Sequence, residues 1–239
     1  MAKGPRNSPT PPTSRTPDLR PDGRLVFSIG ASRSGKSQFV LSQVRTSRRL
    51  LVWDVEGEYA AKFGLEAVEG RAALLARLRA ATGPARLAYH PESLRDFDFF
   101  CRCAFNWSRQ SPADIVCEEL AAATNAVKAG GFWGVLVTRG LKYGTNIYAV
   151  VQRAQETDKS VLGNATVVNI CRPNTRQDAE YIAGRFGLPL SEIPDCDLQM
   201  LQRHKDRTLT KAEIRFESGA GLPYLVKIDK FDRTFADES

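Results

Sequence analysis

Apolar residues in this chain gather into short runs separated by polar stretches of helical length. Runs at 24–29, 50–53, 85–89, 113–117, 146–151 and 165–170 predict strands. A strand covered on both faces reads as a continuous apolar run instead of alternating with polar residues. Helices are predicted between them. One covers 36–46. A second covers 70–81, with Leu74, Leu75 and Leu78 on one side and Gly83-Pro84 closing it. A third covers 92–107, whose Phe97, Phe99, Phe100, Phe105 and Trp107 read as core. The stretch 120–143 is helical but interrupted at Gly130-Gly131, and 158–163 can form a helical turn. The last helix, 175–186, places Ala179, Ile182, Ala183 and Phe186 on one face. Strands alternating with helices predict an α/β fold with a mostly parallel central sheet flanked by helices. Two late stretches, 211–216 and 224–231, flank a Gly/Pro-rich turn and predict a C-terminal β-hairpin or edge strands.

Composition adds boundaries. Residues 1–22 hold six of the thirteen prolines and little that could build a core. They read as a disordered Pro/Arg-rich arm, with 23–239 as a single domain. No apolar run is long enough to span a bilayer, and the N-terminus has no apolar signal core, so neither a membrane span nor a secretion signal is expected. The five cysteines lack paired spacing, which predicts reduced thiols. Cys101 and Cys103 have no second Cys/His pair nearby to complete a metal site. The formal charge of +7 is compatible with a polyanionic partner without demanding one. Basic clusters stand at Arg45, Arg48, Arg49 and at Arg203, Lys205, Arg207.

The chemistry centres on Gly30-Ala31-Ser32-Arg33-Ser34-Gly35-Lys36-Ser37, between the first strand and the first helix. This is G-x-x-x-x-G-K-S in its expected context, a phosphate-binding loop. The glycines let the backbone turn its N–H groups toward phosphate. Gln38 continues the loop into the helix. Lys36 is expected on the β- and γ-phosphates of ATP and Ser37 on Mg²⁺. The strand at 113–117 ends in Glu118-Glu119, a Walker B pattern. Glu118 is suited to supporting the metal and Glu119 to activating water. The strand at 146–151 ends in Gln152-Arg153, where an amide can touch γ-phosphate or the attacking water. His90 reads as structural, and Arg33 could face nucleotide, a neighbouring subunit or solvent.

Together these motifs resemble the FtsK–HerA superfamily of P-loop ATPases over residues 24–190. Asp54-Val55-Glu56-Gly57-Glu58-Tyr59 is similar to the Asp-x-x-Gly-Glu-Tyr signature of the HerA branch. Arg139-Gly140-Leu141-Lys142-Tyr143-Gly144 and Val151-Gln152-Arg153 are similar to its helix end and its strand end. The chain differs in Glu118 for Asp, Leu141 for Arg and Val151 for Thr. The resemblance implies a RecA-like core, a homo-oligomeric, hexameric ring and an arginine supplied by a neighbouring subunit. Arg139 is the first candidate for it, Arg153 the second and Arg172 the third. The compact motor most resembles the genome-packaging ATPases of tailless icosahedral phages with an internal membrane. That implies double-stranded DNA as substrate, capsid-vertex packaging proteins as partners, and a location in the host cytoplasm or at the virion's packaging vertex. A HerA-like helicase or conjugation pump is the alternative. A small-molecule kinase, with 71–79 as a lid, is a more distant one. A filamentous-phage assembly ATPase would carry a transmembrane helix.

Overall fold

The computed structural model describes residues 22–124, 130–193, 224–228 and 233–236. In chain order it runs β1 (Leu25–Ile29), α1 (Lys36–Val44), β2 (Arg49–Trp53), α2 (Glu58–Phe63), β3 (Glu66–Glu69), α3 (Arg71–Ala80) and β4 (Ala85–His90). It continues with α4 (Phe97–Ser108), β5 (Asp114–Cys117), the short α5 (Leu120–Ala123), α6 (Gly131–Arg139), β6 (Asn146–Val151), α7 (Lys159–Asn164), β7 (Val167–Ile170) and α8 (Arg176–Phe186). The pair β8 (Tyr224–Ile228) and β9 (Arg233–Ala236) closes it.

The strands form one sheet in the order β3-β4-β2-β5-β6-β1-β7-β8-β9. The first seven in that order are parallel, and β8 and β9 add antiparallel beyond β7. This is the α/β, RecA-like P-loop architecture expected from the sequence. Parallel strands must be rejoined by crossovers, so every start of a parallel strand lies on one edge of the sheet and every end on the other.

Alternate residues of each strand feed two cores. Phe27, Leu51, Trp53, Ile115, Ile147 and Ala149 face the layer built from α3, α4, α6, α7 and α8. Val26, Leu50, Val52, Val116, Tyr148 and Val150 face α1 and α2. Both faces are covered, which explains the continuous apolar runs. Complete burial of a large apolar side chain such as Phe27 or Leu51 contributes about 1.5–3 kcal/mol. The aromatics of α4 join the core: Phe97, Phe100 and Trp107 are buried, and Phe99 and Phe105 pack partly buried against it.

Three elements differ from expectation. β3 is an edge strand in which Glu66, Ala67 and Glu69 are exposed and only Val68 is buried, so no apolar run announces it. The 120–143 stretch is two helices, α5 and α6, with 125–129 outside the described residues, and a 3₁₀ turn at Gly140–Tyr143. The C-terminal hairpin pairs 224–228 with 233–236; the 195–209 and 211–216 stretches lie outside the described residues. No helix among the described residues is long and apolar enough to cross a membrane.

Candidate nucleotide-binding site

The loop between β1 and α1 emerges at the strand-end edge, between the ends of β6 and β7. Gly30 N–H donates to the Val151 carbonyl (3.3 Å) and Ala31 N–H to the Arg172 carbonyl (2.8 Å). Gly30 has φ +151°, and a Cβ there would sit 2.6 Å from Cys171 Cβ and 2.8 Å from Ser34 Oγ. Only glycine fits. Gly35 has φ +107° with open space around it, so its constraint is the backbone angle. Ser32 and Arg33 are exposed, and Arg33 itself takes φ +59°. Helix α1 then starts at Lys36 with no side-chain cap and no acid in its first turn. Its first N–H groups and positive dipole end therefore suit an external anion.

Lys36 is buried and its Nζ donates to the Ala31 carbonyl at 2.8 Å. Burial lowers its pKa, and the carboxylates of Glu118 and Glu119 oppose that shift, as does Cys171. Ser37 Oγ donates to Glu118 Oε1 (3.0 Å), and Tyr59 OH donates to Glu118 Oε2 (3.2 Å). Burial pushes the Glu118 carboxyl up to about 7, with Glu119 adding to the rise and Ser37, Lys36 and Tyr59 restraining it. The Tyr59 phenol is raised well above its ordinary value, first by burial and then by the charge of Glu118. Glu119 stands beside this cluster with a left-handed backbone, φ +48°, and its Oε1 accepts from Gln152 Nε2 at 2.8 Å. Gln38 is half-buried on the first turn of α1.

The Asp54–Tyr59 motif has a physical basis here. Asp54 is buried, and its Oδ2 accepts from the N–H groups of Tyr59 (2.9 Å) and Ala60 (3.0 Å), which sets the entry of α2. Gly57 supplies the turn at φ +68°, and Glu58 pairs with Lys62 on the surface. His90 Nδ1 meets the Asp54 carbonyl at 3.0 Å, the structural role expected for it. The motif delivers the Tyr59 hydroxyl to Glu118. Sequence reasoning uses Gly57-Glu58-Tyr59 for recognition only and misses this hydrogen bond; an aromatic one step past the Gly-Glu turn is the signal that could have found it.

The candidate arginines separate. Arg139 is exposed at the end of α6, on the strand-start edge, away from its own loop. Arg153 is engaged by Asp178 (3.0 Å) and Glu156 (2.9 Å). Arg172 is buried, with its carbonyl on the phosphate loop. The 71–79 stretch, a lid in the kinase alternative, is helix α3, and it is tied down by Arg71 on Asp96 (2.6 Å) and Arg77 on Glu66 (2.5 Å). Cys101, Cys103, Cys117 and Cys171 are buried and form no disulfide with one another, and Cys196 lies outside the described residues.

The residues present fit a nucleotide with Mg²⁺. The loop leaves open space beside Gly35, ahead of the uncapped start of α1. Ser37 and Glu118 offer hard oxygen donors side by side. Among the described residues no cluster of three or more His, Cys, Asp or Glu forms a metal cage. Mg²⁺ needs none, because it keeps waters and phosphate oxygens around one or two protein ligands.

No family model matches the chain. Over 137 residues it is 33% identical to Protein P9 of Pseudoalteromonas phage PM2, a match that takes in 56% of this chain and 62% of that protein's length. Its fold is similar to that of the genome packaging NTPase B204 from Sulfolobus turreted icosahedral virus 2 in complex with AMPPCP. There the TM-score is 0.61 at 11% identity, covering 89% of this chain and 96% of that one. The DNA-packaging ATPase B204 from Sulfolobus turreted icosahedral virus gives 0.58 at 14% identity, covering 91% and 98%. At these identities the structural likeness establishes the fold. The sequence comparison thus reaches a phage protein, and the fold comparison reaches viral genome-packaging NTPases.

Proposed function

We propose that this chain is the ATP-hydrolysing motor of viral genome packaging, which drives double-stranded DNA into a preformed capsid. The observation that carries the reading is the polar network joining the phosphate loop to the ends of β5 and β6: Ser37–Glu118–Tyr59 and, beside it, Glu119–Gln152. Support also comes from the solved neighbours. B204 is a genome packaging NTPase with structures in complex with AMPPCP and ATP-gammaS.

Each residue then has a role. The N–H groups of 30–38 hold the triphosphate, and Lys36 exchanges the Ala31 carbonyl for β- and γ-phosphate oxygens. Ser37 and Glu118 hold Mg²⁺, which when bound supplies positive charge to the phosphates. Glu119 takes the proton of the attacking water. Gln152 positions the Glu119 carboxylate and gives up that bond to sense γ-phosphate. An arginine from the next subunit of a hexameric ring completes the site. Arg139 leads, because Arg153 is already held by two acids of its own chain. Such an arginine contributes on the order of 10³-fold or more to turnover. Capsid-vertex proteins are the assembly partners, and the protein works in the host cytoplasm and at the packaging vertex.

The test compares Glu119→Gln with the parent chain. The variant should bind ATP with unchanged affinity and hydrolyse it at least about 10²-fold more slowly. Hydrolysis at the parental rate would remove Glu119 from the chemistry, and failure of the parent chain to hydrolyse ATP would remove the motor.

A further inference from the structure

The strand-start edge lies opposite the phosphate loop and, apart from Arg139 proposed for a neighbour's site, takes no part in nucleotide binding. The neighbouring strands β4, β2, β5 and β6 begin there around a groove of about 420 Å³, lined by residues that include Arg48, Arg49, Pro84, Ser111 and Asn146. Two cations of this edge serve the fold. Arg49 stacks on the Trp107 ring at 3.9 Å and donates to the Trp107 carbonyl at 3.0 Å. Arg86 donates to the carbonyls of Val44 (3.2 Å), Arg45 (3.2 Å) and Ser47 (2.6 Å). Both neutralise the negative ends of helices, an ordinary role for positive charge.

That role does not account for the rest. Arg24, Arg45, Arg48 and Lys142 are exposed on the same edge, and among the described residues none of them is ion-paired with an acid. The acids of this edge include Asp22, Asp114 and, at the start of β3, Glu66; Asp114 accepts from Asn146 Nδ2 at 2.9 Å and Glu66 pairs with Arg77. The opposite edge carries Glu56, Glu58, Glu92, Glu118, Glu119 and Glu156 beyond the strand ends. Those acids are mixed with Lys36, Arg95, Arg153, Lys159 and Arg176, and Arg153 and Arg176 are ion-paired, whereas Arg24, Arg45, Arg48 and Lys142 at the strand starts have no ion pair among the described residues. From β4 to β1 the basic edge crosses four strand spacings, about 19 Å. A duplex presents one phosphate per roughly 1.7 Å of axis, so several phosphates fit along it. The chain enters the fold at this same edge, at Asp22–Arg24, and residues 1–21 carry Lys3, Arg6, Arg15 and Arg20 against Asp18 alone.

We infer that the strand-start edge, around Arg24, Arg45, Arg48 and Lys142, grips the phosphate backbone of duplex DNA without reading its sequence. The inference rests on the packaging-motor reading and adds the surface that meets the DNA. The test is binding of the full chain to a fluorescent linear duplex over a series of salt concentrations. The triple variant Arg24→Ala, Arg45→Ala, Arg48→Ala should flatten the slope of log affinity against log salt by about 2–3, near 0.9 for each phosphate no longer neutralised. The control triple Arg95→Ala, Lys159→Ala, Arg176→Ala removes the same charge from the strand-end edge and should keep the parental slope. Replacing the first three arginines by Lys keeps the charge and should restore the slope, which separates missing charge from failed folding. Equal slopes in all variants, or equal flattening by both alanine sets, would overturn the assignment. A parent chain that does not bind duplex at all would overturn the motor reading itself.

Discussion

The two edges of the sheet handle charge in opposite ways. At the strand ends, charged groups are drawn inside and committed to neutral polar partners: Lys36 is buried on the Ala31 carbonyl, and Glu118 is held by Ser37 and Tyr59. At the strand starts, Arg24, Arg45, Arg48 and Lys142 stand in solvent without acidic partners among the described residues. The first arrangement is preorganised, so small changes in geometry should have large effects. The second depends on summed charge in high dielectric, so single changes should be mild and salt-sensitive. Catalytic geometry and polyanion attraction can thus be separated by mutation.

The largest effect should come from Gly30→Ala. The new Cβ meets Cys171 Cβ at 2.6 Å and Ser34 Oγ at 2.8 Å, at φ +151°. Calorimetric titration should show loss of ATP binding, and denaturant melts a stability loss of about 1–3 kcal/mol. The affinity of the folded protein for duplex DNA should hold, because the strand starts are untouched. A parallel fall in DNA affinity would mean that the edges are not independent.

The next effect is a pH dependence confined to the strand ends. In nucleotide-free protein the Glu118 carboxyl sits at about 7 against an ordinary 4.5. The folded state binds this proton more tightly than the unfolded chain does. The stabilisation from this group is complete below about pH 4.5 and is lost as pH rises through 7. Glu118→Gln cannot titrate. Its melting temperature should therefore pull ahead of the parent's as pH is raised from 5 to 8, by the equivalent of about 1–3 kcal/mol. A gap that does not change with pH would show that the carboxyl is solvated.

The smallest effect tests the hydrogen bond that the sequence did not disclose. Tyr59→Phe removes one donor to Glu118 and keeps the ring on Phe63. ATP turnover should need several-fold more Mg²⁺, corresponding to about 1 kcal/mol. An unchanged Mg²⁺ requirement would reduce Tyr59 to a packing residue.

Much of the fold was legible because its central strands are buried on both faces and carry unbroken apolar runs, as at Leu25–Ile29 and Asn146–Val151. β3 was not, because an edge strand with one buried side chain leaves no periodicity to read. The phosphate loop, the Glu118-Glu119 pair and Gln152 were visible as spacing, and they come together at one edge of the sheet. Tyr59 was hidden because its partner lies 59 residues away, joined only by the pairing of β2 with β5. The basic edge was visible only in part. Arg45, Arg48 and Arg49 cluster in sequence, whereas Arg24 and Lys142 reach that edge through the topology.

The most direct test of the motor reading is the rate of ATP hydrolysis by the full chain, with and without linear duplex DNA, on a sample whose oligomeric state is measured at the same time. An assembled ring whose turnover rises with duplex is the predicted result. A strict monomer whose hydrolysis ignores DNA would contradict it.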